Sequence, residues 1–291
     1  MRYEAPDRIE KAVDLLASAA GEARVLAGGT DLIVQMKSEI VEPDLVIDVK
    51  RIAEMRGVVE EGGAFRIGAA VSGAELKEHP RLRKVWPGVI EAANLIGSTQ
   101  VQGRATLGGN LCNASPAADS VPALIAAGAK VIIAGPAGRR ELAVEDVVLG
   151  PRKTALAKGE IVVAFVLPKR VPLAADAYLR FIPRTEMDIA VVGCGVDLTL
   201  DPAGKIIAAR MGLGAVAARP LLVGEAGAAI IGSSLDEPAL ARLEAAARAA
   251  CRPIDDKRGT KEFRVQIAGV LARRVVHIAY ERAKASAKVS T

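Results

Sequence analysis

The chain has 291 residues, 51% of them apolar, 25% charged and only 3% aromatic, the balance of a folded protein with an aliphatic core and room for about two or three domains. Lys and Arg number 39 against 34 Asp and Glu, a net charge of +5, and the basic residues form no run interleaved with aromatic side chains, so no nucleic-acid partner is expected. No apolar stretch approaches the roughly 20 residues that span a bilayer, and the opening MRYEAPDRIEKAVDLL lacks the core of a signal peptide, so a cytoplasmic protein with no membrane span is expected.

In chain order, Ile9, Ala12, Val13 and Leu16 recur at helical spacing, with Asp7 and Glu10 placed for a capping box. ARVLAGGT (23–30) reads as a short strand ending at paired glycines, and DLVIDVK (44–50) as a second, buried strand. Residues 1–55 are therefore expected to form a small α/β unit, a mixed sheet under helical cover. MRGVVEEGGAFRIGAAV (55–71) has a hairpin pattern turned at Glu61-Gly62-Gly63, and SGAE (72–75) is a capping box. Helices are expected over 87–97 and 120–127, on either side of a second Gly-Gly segment. KVIIAGPAGRREL (130–142) reads as another hairpin and GEIVVAFVLP (159–168) as a strand stopped by Pro168, completing an α+β unit over 56–174. The third unit, 175–291, has strands in AYLRFIPR (177–184), DIAVVGCGVDLTL (188–200) and KIIAARMGLGAV (205–216). Helices over 236–251 and 259–285 follow, and AKASAKVST (283–291) reads as a frayed tail.

Three widely separated cysteines, Cys112, Cys194 and Cys251, fit buried, reduced thiols. About four thiolates are needed for an iron–sulfur cluster, and two histidines, His79 and His277, give poor support to zinc; no metal is expected on this chain. His277 reads as a helix-surface or partly packed residue.

Two segments carry a shared design. LAGGTDL (26–32) and TLGGNL (106–111) each bring an element to a Gly-Gly pair followed by a short polar side chain. Glycines expose consecutive N–H groups, and concave amide arrays hold phosphate without any lysine; a helix starting just after the glycines would add favourable partial charge. Two tight turns are the plainer alternative. Asn110 and Asn113 are placed to hydrogen-bond carbonyls or hydroxyls, and Asp119 to accept from sugar hydroxyls, unless they only stabilise loops as Asx turns. A third candidate, GLGAVA (212–217), matches a dinucleotide fingerprint, but Pro220 leaves no room for the helix it must open; it reads as the end of a strand.

LAGGTDLIVQMK and TLGGNLCNASPAAD resemble the two flavin loops of the FAD-binding medium subunits of the molybdenum hydroxylases, the xanthine dehydrogenase and carbon monoxide dehydrogenase family. YEAPDRIEKAVDLL, PDLVIDVKRIAEMRGV, YLRFIPRTEMDIAVVGCGVDL and DDKRGTKEFRVQIAGVLARRVV extend the resemblance over nearly the whole chain. It implies an α+β, PCMH-type FAD-binding fold, an N-terminal α/β and a middle α+β subdomain, with a C-terminal three-stranded antiparallel sheet and helices. It implies a first pyrophosphate loop at Leu26, Ala27, Gly28, Gly29, Thr30, Asp31 and Leu32, and a second at Thr106, Leu107, Gly108, Gly109 and Asn110. Asn113 and Asp119 match positions facing the ribityl and ribose portions. Ile96 stands where some relatives stack an aromatic on adenine, and Arg180 aligns with a basic residue near the isoalloxazine, a solvated surface arginine being the alternative.

A four-cysteine insertion for a [4Fe–4S] cluster, which some relatives carry, is absent after Cys112, and no ferredoxin-like cysteine set precedes the flavin loops. The resemblance thus implies an electron-transfer oxidoreductase subunit that holds FAD and supplies no protein nucleophile or base. The [2Fe–2S] clusters would lie on a small partner subunit and molybdopterin on a large one, in a dimer of heterotrimers. A stand-alone FAD-dependent oxidoreductase acting on its own small substrate is the alternative.

Overall fold

The computed structural model describes residues 1–287. The chain begins with β1 (Arg2–Glu4), α1 (Ile9–Ser18), β2 (Ala23–Leu26), α2 (Leu32–Lys37) and β3 (Leu45–Asp48). The strands lie in the order β1-β3-β2 and both pairings are parallel. The mixed sheet expected from sequence is thereby corrected: helical crossovers, not tight turns, return the chain, and a crossover restores strand direction. The capping box expected at Asp7 and Glu10 is also absent. Arg8 holds the N-cap position with no side-chain bond, and α1 is seated by its apolar face, with Ile9 and Ala12 buried.

The middle of the chain holds the hairpin β4 (Val58–Glu61) and β5 (Ala64–Gly68), followed by α3 (Gly73–Glu78), α4 (Pro80–Val85), α5 (Pro87–Ala93), α6 (Thr99–Gln102), α7 (Leu107–Cys112) and α8 (Ser120–Ala126). Then come β6 (Lys130–Gly135), β7 (Gly138–Ala143), the short ribbon β8 (Val148–Gly150) and β9 (Lys153–Thr154), and β10 (Ile161–Leu167). The antiparallel sheet has the order β4-β5-β10-β6-β7. Its first hairpin turns at Gly62 and Gly63, with φ of +60° and +87°, a conformation that two-residue turns of this hand demand. The capping box at SGAE forms: Glu75 N–H donates to Ser72 Oγ at 3.2 Å, and Ser72 N–H to Glu75 Oε2 at 2.9 Å.

The last part pairs β11 (Ala174–Phe181), β12 (Val192–Leu200) and β13 (Ile206–Gly214), with a two-residue fourth strand, β14 (Leu221–Leu222), on the edge. After α9 (Gly224–Ala228) and α10 (Glu237–Ala250), α11 (Lys261–Ala287) packs across β11 and β12. Residues 283–287, expected to fray, are helical because Ala283 is fully buried under that sheet; residues 288–291 lie outside the described residues. His277 is exposed on α11.

One apolar core runs from Ile9 to Leu167, built jointly by the first two sheets, and another from Ala175 to Ala283. The junction between them positions the site. Gly212, the first glycine of the rejected fingerprint, lies in β13, where a Cβ would stand 2.2 Å from Pro122 O; it lets α8 press onto the sheet. Arg170 stacks 3.5 Å from the Trp86 ring centroid, donates to Asp176 Oδ1 at 2.8 Å and also bonds Asp197. Asp176 Oδ2 accepts from Val89 N–H at 3.0 Å. Burial pushes Asp176 up to about 7 and Asp197 up to about 6, Arg170 pulling both back.

Candidate functional site: a cleft between two glycine loops

The first loop leaves β2 at Leu26 and enters α2 at Leu32, with Gly29 at φ +78°. A Cβ on Gly28 would lie 1.9 Å from Arg104 O, so only glycine lets this loop rest on the backbone that leads into the second. Gln35 on α2 adds a side-chain tie, donating from Nε2 to Asn113 Oδ1 at 3.1 Å. The two loops are therefore neighbours. The segment's own hydrogen bonding begins at Ile33 N–H, which donates to Gly29 O at 3.0 Å. Among the described residues, the N–H groups of Gly28, Gly29, Thr30, Asp31 and Leu32 have no acceptor.

The second loop is built differently. Thr106 is the N-cap of α7, so both glycines lie inside the helix's first turn rather than before it. Gly108 N–H donates to Ala69 O at 3.2 Å, and Gly109 N–H to Thr106 Oγ1 at 2.9 Å. Neither glycine keeps the free amide expected here, because Ala69, just past β5, and the Thr106 cap have taken both. A Cβ on Gly108 would meet Ala69 O at 2.5 Å, whereas one on Gly109 would meet only Thr106 Oγ1, at 3.1 Å. Gly108 serves packing; the open face of Gly109 belongs to the cleft.

That cleft has a volume of about 710 Å³ and is walled by both loops, by Ala19 and residues 21–25 leading into and along β2, and by 156–162 entering β10, within the range of about 300–1,000 Å³ usual for small-molecule sites. Ala27, Gly28, Gly29, Thr30, Asp31, Leu32, Ile96, Thr106, Gly108, Gly109, Asn110 and Asn113 line it. Asn110 and Asn113 form no Asx turns. Asn110 Oδ1 accepts from Ser120 N–H at 3.2 Å and from Ser120 Oγ at 2.7 Å, and Asn113 Oδ1 is held by Gln35. Each keeps its amide Nδ2 as a donor. Burial raises the Asp31 carboxyl above its usual range.

Leu26, Leu107, Asp119 and Arg180 do not line the cleft. Leu107 is in the core, and Leu26 packs behind Gly29. Arg180 is neither a solvated surface residue nor a wall of the cleft: its side chain is 3% exposed. It donates to Asp119 Oδ2 at 3.0 Å and to Leu95 O at 2.7 Å, fixing from β11 the turn that presents Ile96. Burial pushes Asp119 up to about 6, against the pull of Arg180, and its Oδ1 is buried with no partner among the described residues.

Cys194 and Cys251 are buried, but Cys112, also expected to be buried, faces the cleft. It sits on the last turn of α7 and is exposed. Sequence reasoning missed Gln35, which has no signal in its own neighbourhood, and Lys50, whose ammonium donates to Ala27 O at 3.1 Å.

The chemistry of the donors fits a nucleoside diphosphate such as FAD: uncharged amides grouped at one loop, an open glycine face at the other, and carboxamides beyond. Comparison with known proteins points the same way. Residues 1–170 match the FAD binding domain in molybdopterin dehydrogenase, and residues 177–279 the CO dehydrogenase flavoprotein C-terminal domain. The chain is 37% identical to the carbon monoxide dehydrogenase medium chain of Afipia carboxidovorans, over 98% of this chain and 97% of the relative. It is 30% identical to the putative xanthine dehydrogenase FAD-binding subunit of Escherichia coli K12, over 94% of each. It superposes on the CO dehydrogenase from Oligotropha carboxidovorans with a TM-score of 0.93 at 36% identity, covering 97% of this chain and 98% of that one. The quinoline 2-oxidoreductase of Pseudomonas putida 86 gives 0.89 at 27% identity, with the same coverage of 97% and 98%. With both domain models matched in order and full-length relatives on either side, the chain belongs to the FAD-binding medium subunits of the xanthine dehydrogenase and carbon monoxide dehydrogenase family.

Proposed function

We propose that this chain is the electron-transfer subunit of a molybdenum-containing hydroxylase or dehydrogenase. When bound, FAD supplies the redox chemistry, linking [2Fe–2S] clusters of a small partner subunit to an external acceptor, while a large molybdopterin subunit acts on the substrate. The observation that carries this reading is the run of unpartnered amides from Gly28 to Leu32, at a cleft closed by a second glycine loop.

On this reading the first loop takes the diphosphate, and the open face of Gly109 lets it lie close to α7. Asn110 and Asn113 offer amide donors to ribityl and ribose oxygens, and Ile96 covers the adenine with an aliphatic contact. Asp119 and Arg180 act from behind the wall, through Leu95 and the N-terminal end of α8; Leu26 and Leu107 support the loops from the apolar side. The proposed assembly is a dimer of heterotrimers in the cytoplasm, where the three thiols stay free.

The test is to purify the chain with and without its partner subunits, denature it and measure released flavin. One FAD per chain is expected. Flavin reduction by the holoenzyme's substrate is expected only when both partners are present; reduction of the isolated chain by a small substrate would favour the stand-alone oxidoreductase instead.

A further inference from the structure

Lys50 stands just past β3, outside both glycine loops. Its ammonium donates to Ala27 O at 3.1 Å and to Asp48 Oδ2 at 2.8 Å. Asp48 is 7% exposed and is held from two further sides: Lys50 N–H donates to Oδ1 at 2.9 Å, and the Tyr3 hydroxyl to Oδ2 at 2.6 Å. Burial works to raise the Asp48 carboxyl, but the bonds from Lys50 and Tyr3 outweigh it and hold it below its ordinary range. The result is a relay across the parallel sheet, from Tyr3 on β1 through Asp48 on β3 to Lys50 and the first loop.

Because Asp48 matches its charge, Lys50 adds little net field to the cleft. What it fixes is one peptide plane. In a trans peptide the C=O and the following N–H point in opposite directions. Holding Ala27 O from the Lys50 side therefore turns Gly28 N–H away from Lys50, and Gly28 N–H is the first of the unpartnered donors. Two consecutive glycines without Cβ atoms resist rotation of that plane weakly, so an external anchor is needed to keep it set.

We infer that Lys50, ordered by Asp48 and Tyr3, is a positioning residue that orients the Ala27–Gly28 peptide for recognition of a diphosphate. The inference rests on the reading of the cleft as an FAD site and deepens it, by naming a control point outside the glycine loops.

The test uses the full chain freed of flavin and titrated with FAD and with riboflavin, which lacks the diphosphate. Wild type is expected to bind FAD saturably. Lys50→Met is expected to bind FAD about tenfold more weakly, the effect of losing one charge-assisted bond to the loop, with riboflavin binding unchanged; its apoprotein thermal midpoint should fall, because the buried Asp48 loses a partner. Phosphorus NMR of bound FAD reads orientation directly: both resonances should move in Lys50→Met and return in Lys50→Arg, which restores a donor. Unchanged FAD affinity and phosphorus shifts in Lys50→Met would overturn the inference and leave the FAD site standing. Equal losses for FAD and riboflavin, with no rescue by arginine, would overturn it too, marking a purely structural lysine. Failure of wild type to bind FAD would instead sink the reading of the cleft itself.

Discussion

The two Gly-Gly loops are spelled almost alike and divide the work between them. In the first, Gly28 is needed for contact with Arg104 O, and the amides from Gly28 to Leu32 are left without acceptors among the described residues. In the second, Gly108 and Gly109 have given their amides to Ala69 O and Thr106 Oγ1, and what remains is a surface without a side chain. One loop contributes donors and the other contributes clearance. A glycine pair thus marks places where backbone must come close to something; whether its N–H groups stay available depends on partners elsewhere in the chain.

Substitutions should separate these roles. Gly28→Ala carries the largest expected effect, since the added Cβ meets a backbone carbonyl at 1.9 Å and cannot swing aside. A loss of about 3 kcal/mol or more in urea unfolding is expected, within the range of severe core strain, together with loss of flavin. Gly109→Ala should do the reverse. Its Cβ meets only a hydroxyl at 3.1 Å, and Ala is favoured over Gly inside a helix by about 0.5–1 kcal/mol. The apoprotein melting temperature should hold or rise, while FAD titration shows affinity weakened by about tenfold or more. Equal stability losses in both variants would erase the distinction.

Thr106→Val removes the acceptor for Gly109 N–H and should cost about 1 kcal/mol of stability, as helix caps do. It also frees that amide, so flavin affinity should fall less than in Gly109→Ala. The smallest effect concerns the junction that holds β11 against α5. Burial raises Asp176 to about 7, so the folded chain binds this proton more tightly than the unfolded chain does. Its stabilising contribution is complete below the ordinary Asp range near 4 and is lost as pH rises through about 7. Asp176→Asn should therefore flatten the decline of the thermal midpoint between about pH 5 and about pH 8; an unchanged slope would show that Asp176 does not titrate there.

Local pattern carried much of the fold. The Gly62-Gly63 hairpin, the Ser72–Glu75 box, the strand ended by Pro168 and the long C-terminal helix all follow from neighbours in sequence. What local pattern could not convey were partners supplied from a distance. Strand β1 is only three residues long and becomes a strand by pairing with β3. Helix α1 starts where Ile9 meets the core, not where Asp7 offers a cap. The family resemblance pointed to the two glycine loops, but not to which of their amides were already bonded, nor to the burial of Arg180 against Asp119 and Leu95. Lys50 was invisible because its target, Ala27 O, lies on another strand's exit.

Amide hydrogen exchange with and without FAD tests the division between the loops most directly. The N–H groups of Gly28 to Leu32 should exchange quickly in the apoprotein and slow markedly when FAD is added, whereas Gly108 and Gly109 should already be slow and change little. First-loop amides that exchange equally fast with FAD bound, or a second loop that gains most of the protection, would contradict it.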